Sequence, residues 1–61
     1  GHGTTVPAAI VPAAIKTYVA THFADRGIVE IKRDRLGFEV ELADDTDLFF
    51  KADGTYIGHT R

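Results

Sequence analysis

The chain contains no cysteine, no methionine, no tryptophan and no serine. Without cysteine neither a disulfide framework nor a thiolate metal site can hold the fold together. With serine missing as well, the usual acyl-transfer nucleophiles are gone, and no catalytic activity is expected. The lack of methionine extends to position 1, so Gly1-His2-Gly3 reads as a cloning remnant, and processing of a signal peptide just upstream is compatible with the same start. That leaves residues 4–61 as one domain. Basic residues are few: seven Lys and Arg against nine Asp and Glu give a formal charge of −2. This balance argues against a general phosphate-binding surface, and nucleic acid is not an expected partner. No apolar run approaches the ~20 residues that a membrane-spanning helix needs, so no integral membrane segment is expected.

What is present is ordinary for a folded domain: 44% hydrophobic and 26% charged residues over a length of 61. A chain this short buries only about 60% of the surface its unfolded form exposes. Val6-Pro7-Ala8-Ala9-Ile10 is repeated at once as Val11-Pro12-Ala13-Ala14-Ile15. Proline is welcome in a first helical turn and costs about 3 kcal/mol in a helix interior. The spacing therefore predicts a helix with Pro12 in its first turn, running to Phe23 or Ala24, after an irregular or single-turn lead-in over residues 5–10. Val11, Ile15, Val19 and Phe23 form its apolar row, flanked by Ala14, Tyr18 and His22. Gly27, just past Asp25-Arg26, is placed to end it in a left-handed conformation.

Beyond Gly27 the period changes to two. Val29 and Ile31, then Phe38, Val40 and Leu42, then Leu48 and Phe50 predict three strands. Turns fall at residues 34–37 and 43–46. Asp53-Gly54 signals a further hairpin, with a short fourth strand over residues 55–59. The expected fold class is α+β: one N-terminal helix packed on a three- to four-stranded antiparallel meander. One sheet face collects Val29, Ile31, Phe38, Val40, Leu42, Leu48 and Phe50 beneath the helix. The other collects Glu30, Lys32, Glu39, Glu41 and Phe49, with Tyr56 or Ile57 nearby. With no second helix to cover it, this face is open to water or to a partner.

The order of these pieces resembles the PepSY-like domain family, grouped with the fold of the beta-lactamase inhibitor protein. The resemblance rests on Val11 to Lys16, Ile28 to Ile31, Gly37 to Leu42, Asp45 to Phe50 and Ala52 to Tyr56, roughly residues 11 to 57. It implies a helix on an antiparallel sheet, usually in an exported bacterial protein, hence a periplasmic or secreted location. It also implies binding or inhibition of peptidases or other exported enzymes, with no catalytic motif. Family members commonly carry a glycine in the second turn, where this chain has Asp45-Thr46-Asp47.

Other candidate chemistry is weak. His2, His22 and His59 lack the spacing of a metal site. The acidic stretch Glu39, Glu41, Asp44, Asp45, Asp47 and Asp53 fails the calcium-loop pattern, because Asp45-x-Asp47 runs into Phe49 and Phe50. No catalytic residue, cofactor or metal is expected. Arg26, Lys32, Arg33 and Arg35 read as a basic cluster at the far end of the meander from Asp44 and Asp45, with Lys32 bridging to Glu39 or Glu41. Phe49 is the most informative residue. Either it points from the open face, as exposed aromatics that anchor protein contacts do, or a twisted sheet edge or the segment Val6 to Ile10 folds over and covers it. The reading is a non-catalytic protein-binding module that docks through Glu39, Glu41, Phe49 and Tyr56. Its partner is a protein, for instance an exported enzyme or peptidase. The alternative is a structural domain that pairs with itself.

Overall fold

Pro12 decides where the helix begins. The computed structural model describes residues 3–60, so Gly1 and His2 of the expected remnant, and Arg61, lie outside the described residues. Helix α1 spans Ala13–His22 with Pro12 at its N-cap position. Val11, held extended (φ −84°, ψ 135°) as residues before proline are, separates α1 from a single 3-10 turn at Ala8–Ile10. The two copies of the pentapeptide thus adopt different structures. At the other end the helix stops at Phe23 (φ −134°, ψ 38°), whose N–H still donates to Val19 O. Gly27 does not end it: the positive-φ residues among those described are Gly37, Asp45 and Gly54. Phe23 leaves helical geometry and packs its ring against the core, and residues 24–27 make the connection.

Five strands follow the order β1-β2-β3-β4-β5 in one antiparallel sheet. They are β1 (Thr4–Thr5), β2 (Ile28–Arg33), β3 (Gly37–Leu42), β4 (Asp47–Lys51) and β5 (Tyr56–Thr60). The architecture is α+β as expected, with one strand more than the meander predicted. β1, two exposed threonines opposite Lys32 and Arg33, has no apolar alternation to announce it. The core is Val11, Ile15 and Val19 against Ile31, Phe38, Val40, Leu42, Leu48 and Phe50. Val29, expected among them, is 62% exposed. A register shift between Ile28 and Glu30 reverses the phase of β2 at that point. Pairing of Ile28 with Leu42 also brings the start of β2 beside the end of β3. Arg26 Nε therefore sits 3.2 Å from Asp44 Oδ2, and Arg26 belongs to the acidic end of the meander rather than the far one.

The second and third hairpins are one design used twice. Leu42-Ala43-Asp44-Asp45-Thr46 closes with Asp45 N–H to Leu42 O (3.1 Å), Leu42 N–H to Thr46 O (2.8 Å) and Thr46 N–H to Asp44 Oδ1 (3.2 Å). Lys51-Ala52-Asp53-Gly54-Thr55 repeats each bond: Gly54 N–H to Lys51 O (2.9 Å), Lys51 N–H to Thr55 O (2.8 Å) and Thr55 N–H to Asp53 Oδ1 (2.9 Å). Both are three-residue loops whose last residue is left-handed. Gly54 has φ +94° and Asp45 φ +71°. The missing glycine of the second turn therefore leaves the turn type intact, and Asp45 carries the strain. Asp45→Gly is expected to stabilise the chain by about 0.5–1 kcal/mol, read as a higher urea midpoint with unchanged slope.

Candidate functional site

Alternation along β3 and β4 sends Phe38, Val40, Leu42, Leu48 and Phe50 to the core and the residues between them to the opposite face. Two rows cross the strands there. In one, Thr5, Lys32, Glu39, Phe49 and Gly58 lie opposite one another in turn. In the other, Glu30, Glu41, Asp47 and Thr60 do so. α1 and Val6 both pack on the core side, so the lead-in does not fold over Phe49. It reaches the sheet as β1 instead and widens the open face by one strand.

Phe49 is half-buried and Glu39 is only 7% exposed, although neither belongs to the core. With Gly3, Thr4 and residues 33–36 of the first hairpin they line a groove of about 760 Å³. Leu36 stands on that hairpin with 79% of its surface exposed. The hairpin is shaped by Asp34, whose Oδ1 accepts from Leu36 N–H (3.0 Å) and Gly37 N–H (2.9 Å).

The two cross-strand rows are acidic: Glu30, Glu39, Glu41 and Asp47 against Lys32 leave them at −3, while Arg33 and Arg35 line the groove at their end. Lys32 Nζ lies 3.7 Å from Glu30 Oε1 on its own strand. The expected bridge from Lys32 to Glu39 or Glu41 is thus replaced by a neighbour two residues away. Thr5 Oγ1 also donates to Glu30 Oε2. That hydrogen bond, and then Lys32, holds the Glu30 carboxyl below its ordinary range. Glu41 and Asp47 face each other across β3 and β4, and their carboxylates have no ion-pair or hydrogen-bond partner among the described residues.

Tyr56 is not on this face. A register shift between Phe49 and Phe50 sets Tyr56 opposite Phe50, and both rings turn to the helix. Tyr56 stacks on Tyr18 with centroids 4.3 Å apart, meets Phe50 edge-on at 5.5 Å, and shares a 2.9 Å hydrogen bond with His59 Nδ1. The structure thus brings together Glu39, Glu41 and Phe49 of the four expected residues. It adds Asp47, whose place two residues before Phe49 was a usable signal, and Leu36, whose turn position was not. Of the histidines, His22 lies tilted against Tyr18 with centroids 4.2 Å apart, and His59 lies beside Phe23. His2 lies outside the described residues.

Three ionisable groups set a pH profile. Asp53 is held low by hydrogen bonding from Thr55, as Glu30 is by Thr5. Burial, and then Tyr18, raises the Tyr56 phenol above its ordinary value of 10.0. The folded state binds protons on Glu30 and Asp53 less readily than the unfolded chain does. Their contribution is present at neutral pH and lost as pH falls through the carboxylate range. The neutral Tyr56 contributes below pH 10 and ceases to as pH rises further. Urea midpoints are expected to fall at both extremes. The acid limb should be shallower in Glu30→Gln and Asp53→Asn.

Comparison with known proteins agrees with this geometry. The model of the family described as "Putative beta-lactamase-inhibitor-like, PepSY-like" matches residues 1–58, and the chain belongs to that family. Among solved structures it is similar to a "putative periplasmic protein of unknown function" from Bacteroides vulgatus, with TM-score 0.82 and 25% identity. It is also similar to a "putative calcium-regulated periplasmic protein" from Bacteroides thetaiotaomicron, with TM-score 0.78 and 40% identity. The alignments cover 97% and 95% of this chain but 47% and 46% of those proteins, so the chain spans about half their length. No curated protein matches it.

Proposed function

We propose that the chain is a non-catalytic protein-binding module of an exported, periplasmic protein, inhibitor-like in the sense of its family, which docks through the open sheet face. The observation that carries this reading is Phe49: an aromatic ring opposite the core, set beside a groove and a nearly buried Glu39. Water gains nothing from such an arrangement, whereas a partner that fills the groove removes Phe49 and Leu36 from solvent together. Glu39 and Glu41 then orient the contact. The family and the periplasmic neighbours support export and a protein partner, for instance an exported peptidase or other enzyme. Among the described residues no cluster of three or more His, Asp or Glu could hold a metal ion, so the calcium in one neighbour's description is not carried over.

The test places a photo-reactive residue at Phe49 and, as control, at Lys16 on the exposed side of the helix. The species captured from periplasm is identified and its binding reconstituted with purified components. Phe49→Ala and Glu41→Lys are each expected to weaken that binding at least tenfold, about 1.4 kcal/mol, with unchanged secondary structure. Unchanged affinity in both variants sinks the proposal. Self-association is a second reading, favoured by β5, an edge strand carrying Ile57 at 53% exposure. A solution mass and melting temperature that rise with concentration would select it.

A further inference from the structure

Resting on the docking reading, we infer that the partner's docked segment is an extended strand that adds to the outer edge of β5 and lays a bulky apolar side chain across Gly58 against Phe49. The first observation concerns Gly58. Gly37 and Gly54 combine positive φ with a crowded Cβ position, so the fold requires them. Gly58 is not among the positive-φ residues, and a Cβ there would meet nothing within 4 Å. Glycine inside a strand gives up the packing that a β-branched residue supplies. The fold therefore demands this glycine neither for space nor for backbone conformation. Its effect falls on Phe49, directly opposite it on the open face. An aromatic ring opposite a glycine can fold over it and restore the lost packing. Phe49 does not, since no atom of its ring comes within 4 Å of that Cβ position. One flank of the ring stays clear, while Glu39 stands opposite the other.

The second observation is the edge itself. β5 pairs with β4 alone among the described residues, so its outer N–H and C=O groups have no strand to bond. Residues 54–60 include none of the charges and no proline, the residues with which sheets commonly close an edge. The opposite edge, β1, is closed by its brevity, two threonines with Pro7 close behind. The register shift that skips Ile57 leaves Gly58, His59 and Thr60 in unbroken register with Phe49, Leu48 and Asp47. Alternating backbone donors and acceptors are satisfied by another strand, which fixes the occupant as an extended chain. Its residue beside Gly58 falls in the row of Phe49, two strand separations away, about 10 Å between Cα atoms. With no side chain between them, an aromatic residue or leucine there reaches the Phe49 ring.

The experiment uses the whole chain, labelled with nitrogen-15, and three nine-residue peptides. The first alternates threonine with valine around a central phenylalanine, with a lysine at each end. The second has alanine at its centre, and the third has prolines in place of both valines. The first is expected to slow hydrogen exchange of β5 amides and to bind about tenfold or more tighter than the second; the third should not bind. Gly58→Val should raise the urea midpoint of the free chain and weaken the first peptide about tenfold or more, with the second within about twofold. Opposite signs on stability and on binding separate an open slot from a structural glycine. Ile57→Lys, a charge on the exposed edge, should abolish the amide protection in a folded chain. Equal affinity for the first two peptides, or of the parent and Gly58→Val for the first, overturns the inference. So does protection of β5 amides that appears without peptide and grows with protein concentration, since a second copy would then hold the edge. If no peptide binds while capture at Phe49 persists, only the strand assignment falls. If both fail, the docking reading falls with it.

Discussion

Gly37→Ala is expected to remove a third or more of the chain's stability at 25 °C. A Cβ at this position would lie 2.1 Å from Phe50 O, 2.6 Å from the Lys51 carbonyl carbon and 2.7 Å from Ala52 N. All three are backbone atoms of the adjacent strand and turn, so no side chain can swing aside. The backbone there, at φ +156°, is also one that side-chain-bearing residues rarely adopt. Relief requires β3 and β4 to part where Gly37 pairs with Lys51, next to the buried Phe38 and Phe50. The expected loss is about 3 kcal/mol or more, against a total stability of roughly 3–9 kcal/mol for a domain of this size. Two other glycines calibrate it. Gly54→Ala meets Ala14 Cβ at 3.0 Å with φ +94°, and is expected to be intermediate. Gly27→Ala meets nothing within 4 Å and is expected to lie within about 0.5 kcal/mol of the parent. Circular dichroism with urea titration ranks the three, and a Gly37→Ala midpoint no lower than that of Gly27→Ala would refute the steric argument.

The second large effect separates two adjacent phenylalanines. Phe50 is 1% exposed and meets both Tyr18 (5.7 Å, edge-on) and Tyr56 (5.5 Å), joining helix to sheet. Phe50→Ala removes a ring from the centre of a nine-residue core and is expected to cost about 3–5 kcal/mol. The residues around it come from α1, β3 and β5 and cannot collapse together. Phe49→Ala, one residue earlier on the other face, is expected to cost about 1 kcal/mol or less. The pair forms a double dissociation: one variant loses the fold, while the other keeps the fold and loses the partner. Thermal unfolding of both, followed by near-ultraviolet dichroism, checks the first half. Equal losses would mean that Phe49 is structural and that the open face is less open than the register indicates.

The strongest periodicities were the most legible. Alternation in Phe38-Glu39-Val40-Glu41-Leu42 and in Leu48-Phe49-Phe50 assigned both faces correctly, including Glu39, Glu41 and Phe49. Period-two burial on a central strand leaves no other arrangement. Pro12 likewise fixed the helix start. The residues that escaped sit where pairing breaks phase. Tyr56 and Val29 each sit at a register shift, and a shift of one residue exchanges the faces without leaving a mark in composition. β1 escaped because two threonines carry no period. Gly27 misled because the helix end was settled by the demand for Phe23 in the core rather than by a left-handed residue. The position of Arg26 depended on which strand ends meet, which is topology rather than local pattern.

The crossing at Gly37 also bears on how the sheet selects its alignment. The carbonyl of Phe50 occupies the space where any other residue would place its first side-chain carbon. Sliding β3 past β4 by one position would bring either Leu36 or Phe38 to that carbonyl, and both carry bulky side chains. A misaligned hairpin is thus rejected by collision at a single point, before the burial of Val40 or Leu42 can reward or penalise it. The glycine acts as a key cut for one lock position. The acidic row and Phe49 hold their relative places because only one alignment of the two strands can close.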